Sequence, residues 1–168
     1  MALLRALTTA EFDAIAAIAR RRELTSGGEL FREGDAGDGL YLVVAGEISV
    51  IKRGPEGEHL LAKLGPGAVL GEMSLITSEA RSATGRALGE AVMLHLPLAE
   101  FRALLDSGST AALKITYAIA EVLARRLAAM NGIVLGLAGG QAPEAKGASA
   151  MKTQDLKELH RTMQVWSF

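Results

Sequence analysis

Between Leu24 and Leu96 the apolar residues come in short runs, Leu40 to Val44, Ile48 to Lys52, His59 to Leu64, Gly85 to Leu88 and Ala91 to Leu96, separated by glycine- and aspartate-rich breaks. Turn residues stand at Gly27-Gly28, Gly34-Asp35, Gly37-Asp38-Gly39, Gly54-Pro55-Glu56-Gly57 and Gly65-Pro66-Gly67. Glycine supplies positive φ and proline a fixed φ, so each cluster turns the chain before a helix can grow. Several short strands at this spacing argue for a β sandwich or barrel. The Gly-Pro-Glu-Gly segment is read as the tip of a hairpin leaving Val50-Ile51-Lys52.

On both sides of that block the apolar period is helical. Thr8-Thr9-Ala10-Glu11 offers a helix N-cap, and Phe12, Ile15, Ala16 and Ile18 share one side of a helix predicted to run to about Arg21. That helix is expected to pack on the barrel. After Pro97 a helix is expected over Leu98 to Asp106, then a longer one from about Thr110 to Leu137. Within the long one Leu113, Thr116, Ala120, Leu123, Leu127, Met130, Val134 and Leu137 alternate spacings of three and four, the seam of a coiled coil, which implies a partner helix. A second row, Ile115, Ile119 and Val122, can face the barrel. The fold class is therefore α+β: a roll of about eight strands with an N-terminal helix and C-terminal helices. Residues 1–138 form the main domain, including the long pairing helix 110–137. Residues 139–168 form a small-residue linker and a short amphipathic helix carrying Leu156, Leu159 and Met163.

Composition narrows the function classes. Eighteen basic against nineteen acidic side chains leave no global field to draw the chain to nucleic acid or an anionic membrane. There is no cysteine, hence no disulfide framework and no thiolate metal site. No apolar run approaches the length of a membrane span, and the expectation is a cytoplasmic protein. His59, His95 and His160 are isolated, and no Gly-x-Ser-x-Gly, phosphate-loop lysine or paired carboxylate cleft is present. The expectation is no catalysis, no metal and no cofactor.

The chemistry concentrates in Gly71-Glu72-Met73-Ser74-Leu75 and, six residues later, Arg81-Ser82-Ala83-Thr84. Arg81 carries a guanidinium fork able to grip two oxygens of a phosphodiester, and it is the only cation in the set. Ser82 adds a hydroxyl. Ionised Glu72 only accepts, so it suits a sugar hydroxyl rather than a phosphate, and it can also orient Arg81. Gly71 allows close backbone approach, and Glu72 to Leu75 can form one helical turn whose free N–H groups favour an anion.

With the preceding Gly65-Pro66-Gly67-Ala68-Val69-Leu70, these residues resemble the phosphate-binding cassette of cyclic nucleotide-binding domains, the sensor modules of catabolite activators, cyclic-nucleotide-dependent kinases and gated channels. The stretch from Phe31 to Ile48, with its Gly-Asp turn, resembles the family's first strand pair, and the likeness spans roughly residues 8 to 135. One departure is Ala80, where many cassettes carry proline. The resemblance implies a cAMP or cGMP ligand held by Gly71, Glu72, Met73, Ser74, Arg81, Ser82 and Ala83, with Leu61 and Leu70 against the ribose or base. It places Asn131 as the base contact on the long helix, with Met130 beside it. With no catalytic motif beside the cassette the expectation is a receptor, the seam makes it a homodimer through residues 110–137, and output is expected through an unknown protein partner. Only about thirty residues follow the long helix, so direct DNA binding is not expected. Two alternatives stand: a sensor of another anion such as a cyclic dinucleotide, and a ligand-free assembly scaffold.

Overall fold

The computed structural model describes residues 4–77 and 79–137. The linker and terminal helix expected over 139–168 lie outside the described residues. Two compact units are present, one reaching Ile119 and the other beginning at Ala120.

The first unit opens with helix α1, Thr9–Ile18, closed at its start by a capping box: Thr8 Oγ1 accepts from the Glu11 amide, and the Thr8 amide donates to Glu11 Oε2 at 2.7 Å. Its buried residue is Ile15. The helix stops earlier than its apolar pattern predicts. Ala19 is extended (φ −74, ψ 140), and Arg20–Leu24 forms strand β1 on the edge of a sheet. Its first four side chains are exposed, so a further helical turn would bury nothing, whereas pairing satisfies the backbone and arginines protect the open edge.

The remaining strands are β2 (Glu29–Phe31), β3 (Gly39–Ala45), β4 (Ile48–Gly54), β5 (Gly57–Leu64), β6 (Val69–Leu70), β7 (Thr84–Ala87) and β8 (Ala91–Pro97). They form two four-stranded antiparallel sheets, β1-β8-β3-β6 and β2-β7-β4-β5. The hairpin expected at Gly54-Pro55-Glu56-Gly57 closes β4 on β5, with Gly54 opposite Gly57. Between the sheets lie Leu30, Tyr41, Val43, Ile48, Val50, Leu70, Ala83, Ala87, Ala91 and Met93. This is the aliphatic core implied by a chain with 4% aromatic residues. The alternation that gives strands one buried face is clear in β7 and β8. A register shift in the β4–β5 ladder pairs Val50 with Ala62 but Ile51 with Leu60, so Leu61 is the extra residue of a bulge packed against the core.

Helix α2, Glu72–Thr77, follows β6; α3, Leu98–Asp106, follows β8; α4 runs Thr110–Leu137. At the start of α4, Ala111, Ala112, Ile115 and Ile119 are fully buried, as the second apolar row requires. Lys114 ties this turn to α1 by donating to Glu11 Oε2 at 2.7 Å. In the second unit, from Ala120, the helix leaves Leu127 56% exposed. Among the described residues no helix is long and apolar enough to cross a membrane.

Candidate functional site

Strand β6 delivers the chain to Gly71, whose φ of +74° is open to glycine at little cost. A Cβ at that position would lie 2.0 Å from Arg81 Nη1 and 2.9 Å from the Gly39 carbonyl oxygen, so the glycine is required by packing as well. The turn sends Glu72 into the interior at the start of α2, where it has no solvent exposure, with Ser74 and Leu75 also buried.

Arg81 lies on the loop between α2 and β7 and is fixed at its backbone. Its amide donates to Asp35 O, and its carbonyl accepts from the Gly34 amide, both at 2.8 Å. The glycine-aspartate turn before β3 therefore does more than reverse the chain: it docks the arginine. The Arg81 side chain is 2% exposed, and its guanidinium packs 4.4 Å above the Phe31 ring. Nη1 donates to Gly71 O (3.2 Å) and Ser74 Oγ (3.0 Å), and Nη2 donates to Gly39 O (2.8 Å) and Asp38 Oδ1 (2.5 Å). Ser74 completes the ring by donating to Gly71 O at 2.8 Å. A guanidinium has five N–H groups, and these contacts use four; Nε is buried and makes no hydrogen bond.

Asp38 joins this arginine to a second buried group. Its Oδ2 accepts from the Tyr41 hydroxyl at 2.6 Å, and the His95 ring stacks on Tyr41 with centroids 4.4 Å apart. His95 Nε2 stands 3.3 Å from Asp38 O and 3.7 Å from Asp38 Oδ2. Partial burial works against ionisation of Asp38, but the bonds from Tyr41 and Arg81 outweigh it and hold the carboxyl below its ordinary range. Burial, then the hydrogen bond to Asp38, pushes the Tyr41 phenol well up. Burial lowers the His95 pKa, and the cationic Arg22 and Arg20 of β1 add to that, against the opposing pull of Asp38.

Of the residues expected at the site, the first unit gathers Gly71, Glu72, Ser74, Arg81 and Ala83, all buried, with Ser82 and Met73 partly exposed beside them. Leu70 is core and Leu61 sits at the β5 bulge. Ser74, expected among the ligand contacts, bonds within the chain to Gly71 and Arg81. Met130 and Asn131 belong to the second unit, Met130 partly buried and Asn131 exposed. Sequence reasoning missed Asp38, His95 and Lys52. Asp38 was visible as the acidic member of a Gly-Asp-Gly turn, but nothing in the sequence ties it to an arginine forty-three positions away. Lys52 Nζ donates to the Ser82 carbonyl at 2.6 Å, so Arg81 is not the only cation at the cassette. A groove of about 600 Å³ is lined by Thr84, at the end of the cassette, and by Glu33 with Glu29, Arg32, Glu58 and Arg86, among others. Its arginine Arg86 is already engaged by Glu58 and Glu29. Among the described residues no group of three or more histidines and carboxylates could hold a metal ion.

A family model of the cyclic nucleotide-binding domain matches residues 21–107, which take in the glycine-aspartate turn, the β4–β5 hairpin, Gly71-Glu72 and Arg81. The chain belongs to the cyclic nucleotide-binding domain family. It is 35% identical over 126 residues to the cyclic AMP receptor protein of Thermus thermophilus, covering 74% of this chain and 56% of that one. It is 40% identical over 88 residues to a cyclic nucleotide-gated potassium channel of Mesorhizobium japonicum, covering 52% of this chain and 23% of the channel. Among solved structures, the Thermus thermophilus catabolite activator protein superposes with a TM-score of 0.72 at 32% identity over 82% of this chain and 63% of that one. The β-roll with its flanking helices is the architecture of this family. The chain spans a little over half of the first of these relatives and about a quarter of the second.

Proposed function

We infer that this chain is a receptor for a cyclic mononucleotide, cAMP or cGMP, that carries out no chemistry on its ligand. The observation that carries the reading is Arg81: a buried guanidinium with four of its five N–H groups on protein acceptors, the Gly71 carbonyl among them, and Nε on none; Glu72, the residue after Gly71, is buried as well. An exocyclic phosphate oxygen is the missing acceptor, and a ribose hydroxyl is the donor suited to Glu72. Ser82 and the backbone around Ala83 complete the phosphate end, and Leu61 supplies apolar contact. Asn131 and Met130 are assigned to the base on the strength of the family resemblance.

Binding would compete with contacts the chain already makes. A phosphate bidentate on Arg81 needs an Nη hydrogen as well as Nε, and the exchangeable partner is Asp38, whose side chain is 52% exposed and can turn to water. Asp38 lies in the loop that docks Arg81, so ligand capture is coupled to that loop and the surface around it. We assign the output to a protein contact made in the cytoplasm by a homodimer paired along α4. The exposed Leu113, Tyr117 and Leu127 on that helix support the pairing.

The scaffold alternative has one observation in its favour: the Nη groups of Arg81 are all engaged within the chain. Calorimetric titration with cAMP, cGMP and a cyclic dinucleotide decides between the readings. Tight binding of one mononucleotide, weakened roughly tenfold to a hundredfold in Arg81→Leu, is expected for loss of a hydrogen bond to a charged group. Absence of binding to any of the three supports the scaffold, and tight binding of the dinucleotide alone supports the other sensor.

A further inference from the structure

Strand β4 places Ile48 and Val50 in the core between the sheets, and the two-residue period carries Lys52 to the same side. The β4–β7 register, with Ile51 opposite Thr84, brings Lys52 alongside the last residues of the cassette. The ammonium meets two acceptors there, the Ser82 carbonyl at 2.6 Å and Glu33 Oε1 at 2.9 Å. Glu33 is held in turn, its Oε2 accepting from the Arg53 amide at 3.1 Å and its own amide donating to Thr84 Oγ1 at 3.0 Å. Burial works against ionisation of Glu33, but the bonds from Lys52 and the Arg53 amide keep its pKa below the ordinary value.

An ammonium has three N–H groups, and these contacts use two. The side chain is 28% exposed, so the third donor is within reach of solvent or of a ligand. We propose that Lys52 is a second cation of the ligand site, which places an ammonium donor on the anionic end of a cyclic nucleotide beside Ser82 and shares its charge between that ligand and Glu33. The inference rests on the receptor reading above and adds a residue to it.

Arg81 faces Asp38, and Lys52 faces Glu33, so each of these two cations already has a carboxylate against it. An incoming monoanion competes with those carboxylates. Removing the Glu33 charge while keeping its shape leaves Lys52 more of its field for the ligand, so Glu33→Gln tightens binding. A lysine that merely braces the Ser82 carbonyl predicts the opposite, because Glu33→Gln would loosen the brace.

The test is calorimetric titration of the intact chain with cAMP and cGMP at two salt concentrations, for wild type, Lys52→Met, Lys52→Arg, Glu33→Gln and Arg81→Leu, each checked by thermal unfolding. Lys52→Met is expected to lose roughly tenfold in affinity for the preferred nucleotide, the scale of one hydrogen bond to a charged group, and to show a weaker salt dependence. Lys52→Arg retains most of the affinity. Glu33→Gln gains roughly two- to fivefold, the scale of a partly exposed ion pair. A folded Lys52→Met with wild-type affinity, or a Glu33→Gln that binds no tighter, overturns the proposal even where Arg81→Leu abolishes binding. A wild-type chain that binds neither nucleotide overturns this proposal and the receptor reading together.

Discussion

Arg81, Asp38, Tyr41 and His95 form one connected set, in which the basic residue proposed to meet the ligand is held by a carboxylate that also faces a titratable ring. His95 is 6% exposed, and among the groups facing it are Arg20 and Arg22 from β1, Asp38 from the loop and Tyr41 from β3. Burial, more than those arginines, lowers its pKa, so between the folded value and about 6.5 the unfolded chain binds a proton that the folded chain does not. With more protons bound in the unfolded state, stability rises with pH across that window. On acidification it therefore starts to fall near the unfolded pKa. Asp38 carries a linkage of the same sign in a more acidic window: its lowered carboxyl contributes stability that is kept above its unfolded value and is lost only at lower pH. Urea unfolding from pH 7.5 down to pH 5 should thus show a declining free energy in wild type and a flatter profile in His95→Gln. Parallel profiles would mean that folding does not lower the His95 pKa.

At the scale of elements, the sequence was most informative where one face is buried and the element is long. Helix α3 lies at Leu98–Asp106 and α4 at Thr110–Leu137, as their three- and four-residue spacings require. Strands β3, β4, β5 and β8 lie on the apolar runs that announced them. Missed were β1, whose Arg20-Arg21-Arg22-Glu23 has no apolar face to show, and β2 and β6, three and two residues long, too short for a period to register. The candidate site divides the same way. Gly71, Glu72, Arg81 and Ser82 were legible because they sit in one local pattern, whereas Asp38, His95 and Lys52 reach them only through strand pairing between distant segments. The turn linking β6 to α2 tests whether that local pattern depends on backbone shape. Gly71→Ala must hold alanine at φ +74°, a conformation costing an L-residue about 1–2 kcal/mol. Its Cβ would also displace the Arg81 guanidinium from 2.0 Å away. The expected result is a modest loss in thermal stability with a much larger loss in nucleotide affinity. Affinity that falls no more than stability would remove Gly71 from the group that positions Arg81.

For the molecule as a whole, the question is what the apolar side of α4 is for. Its start is used within the chain, where Ile115 and Ile119 are fully buried, yet Leu113 is 54%, Tyr117 69% and Leu127 56% exposed. Scattered exposed apolar residues need no explanation, but Leu113 and Leu127 fall on the three-and-four seam that a second helix would cover. In a two-fold pair a seam residue near the axis faces its own copy. Leu127→Glu would therefore set two carboxylates against each other where both must leave water, and either the helices separate or they splay. Light scattering should give twice the 17.6 kDa chain mass for wild type and fall toward the single mass for the variant. If the partner helix also holds Asn131 in place, nucleotide affinity falls with the mass, whereas a base site built within one chain keeps its affinity in the monomer. A wild-type chain already monomeric at high micromolar concentration, with and without nucleotide, refutes the pairing.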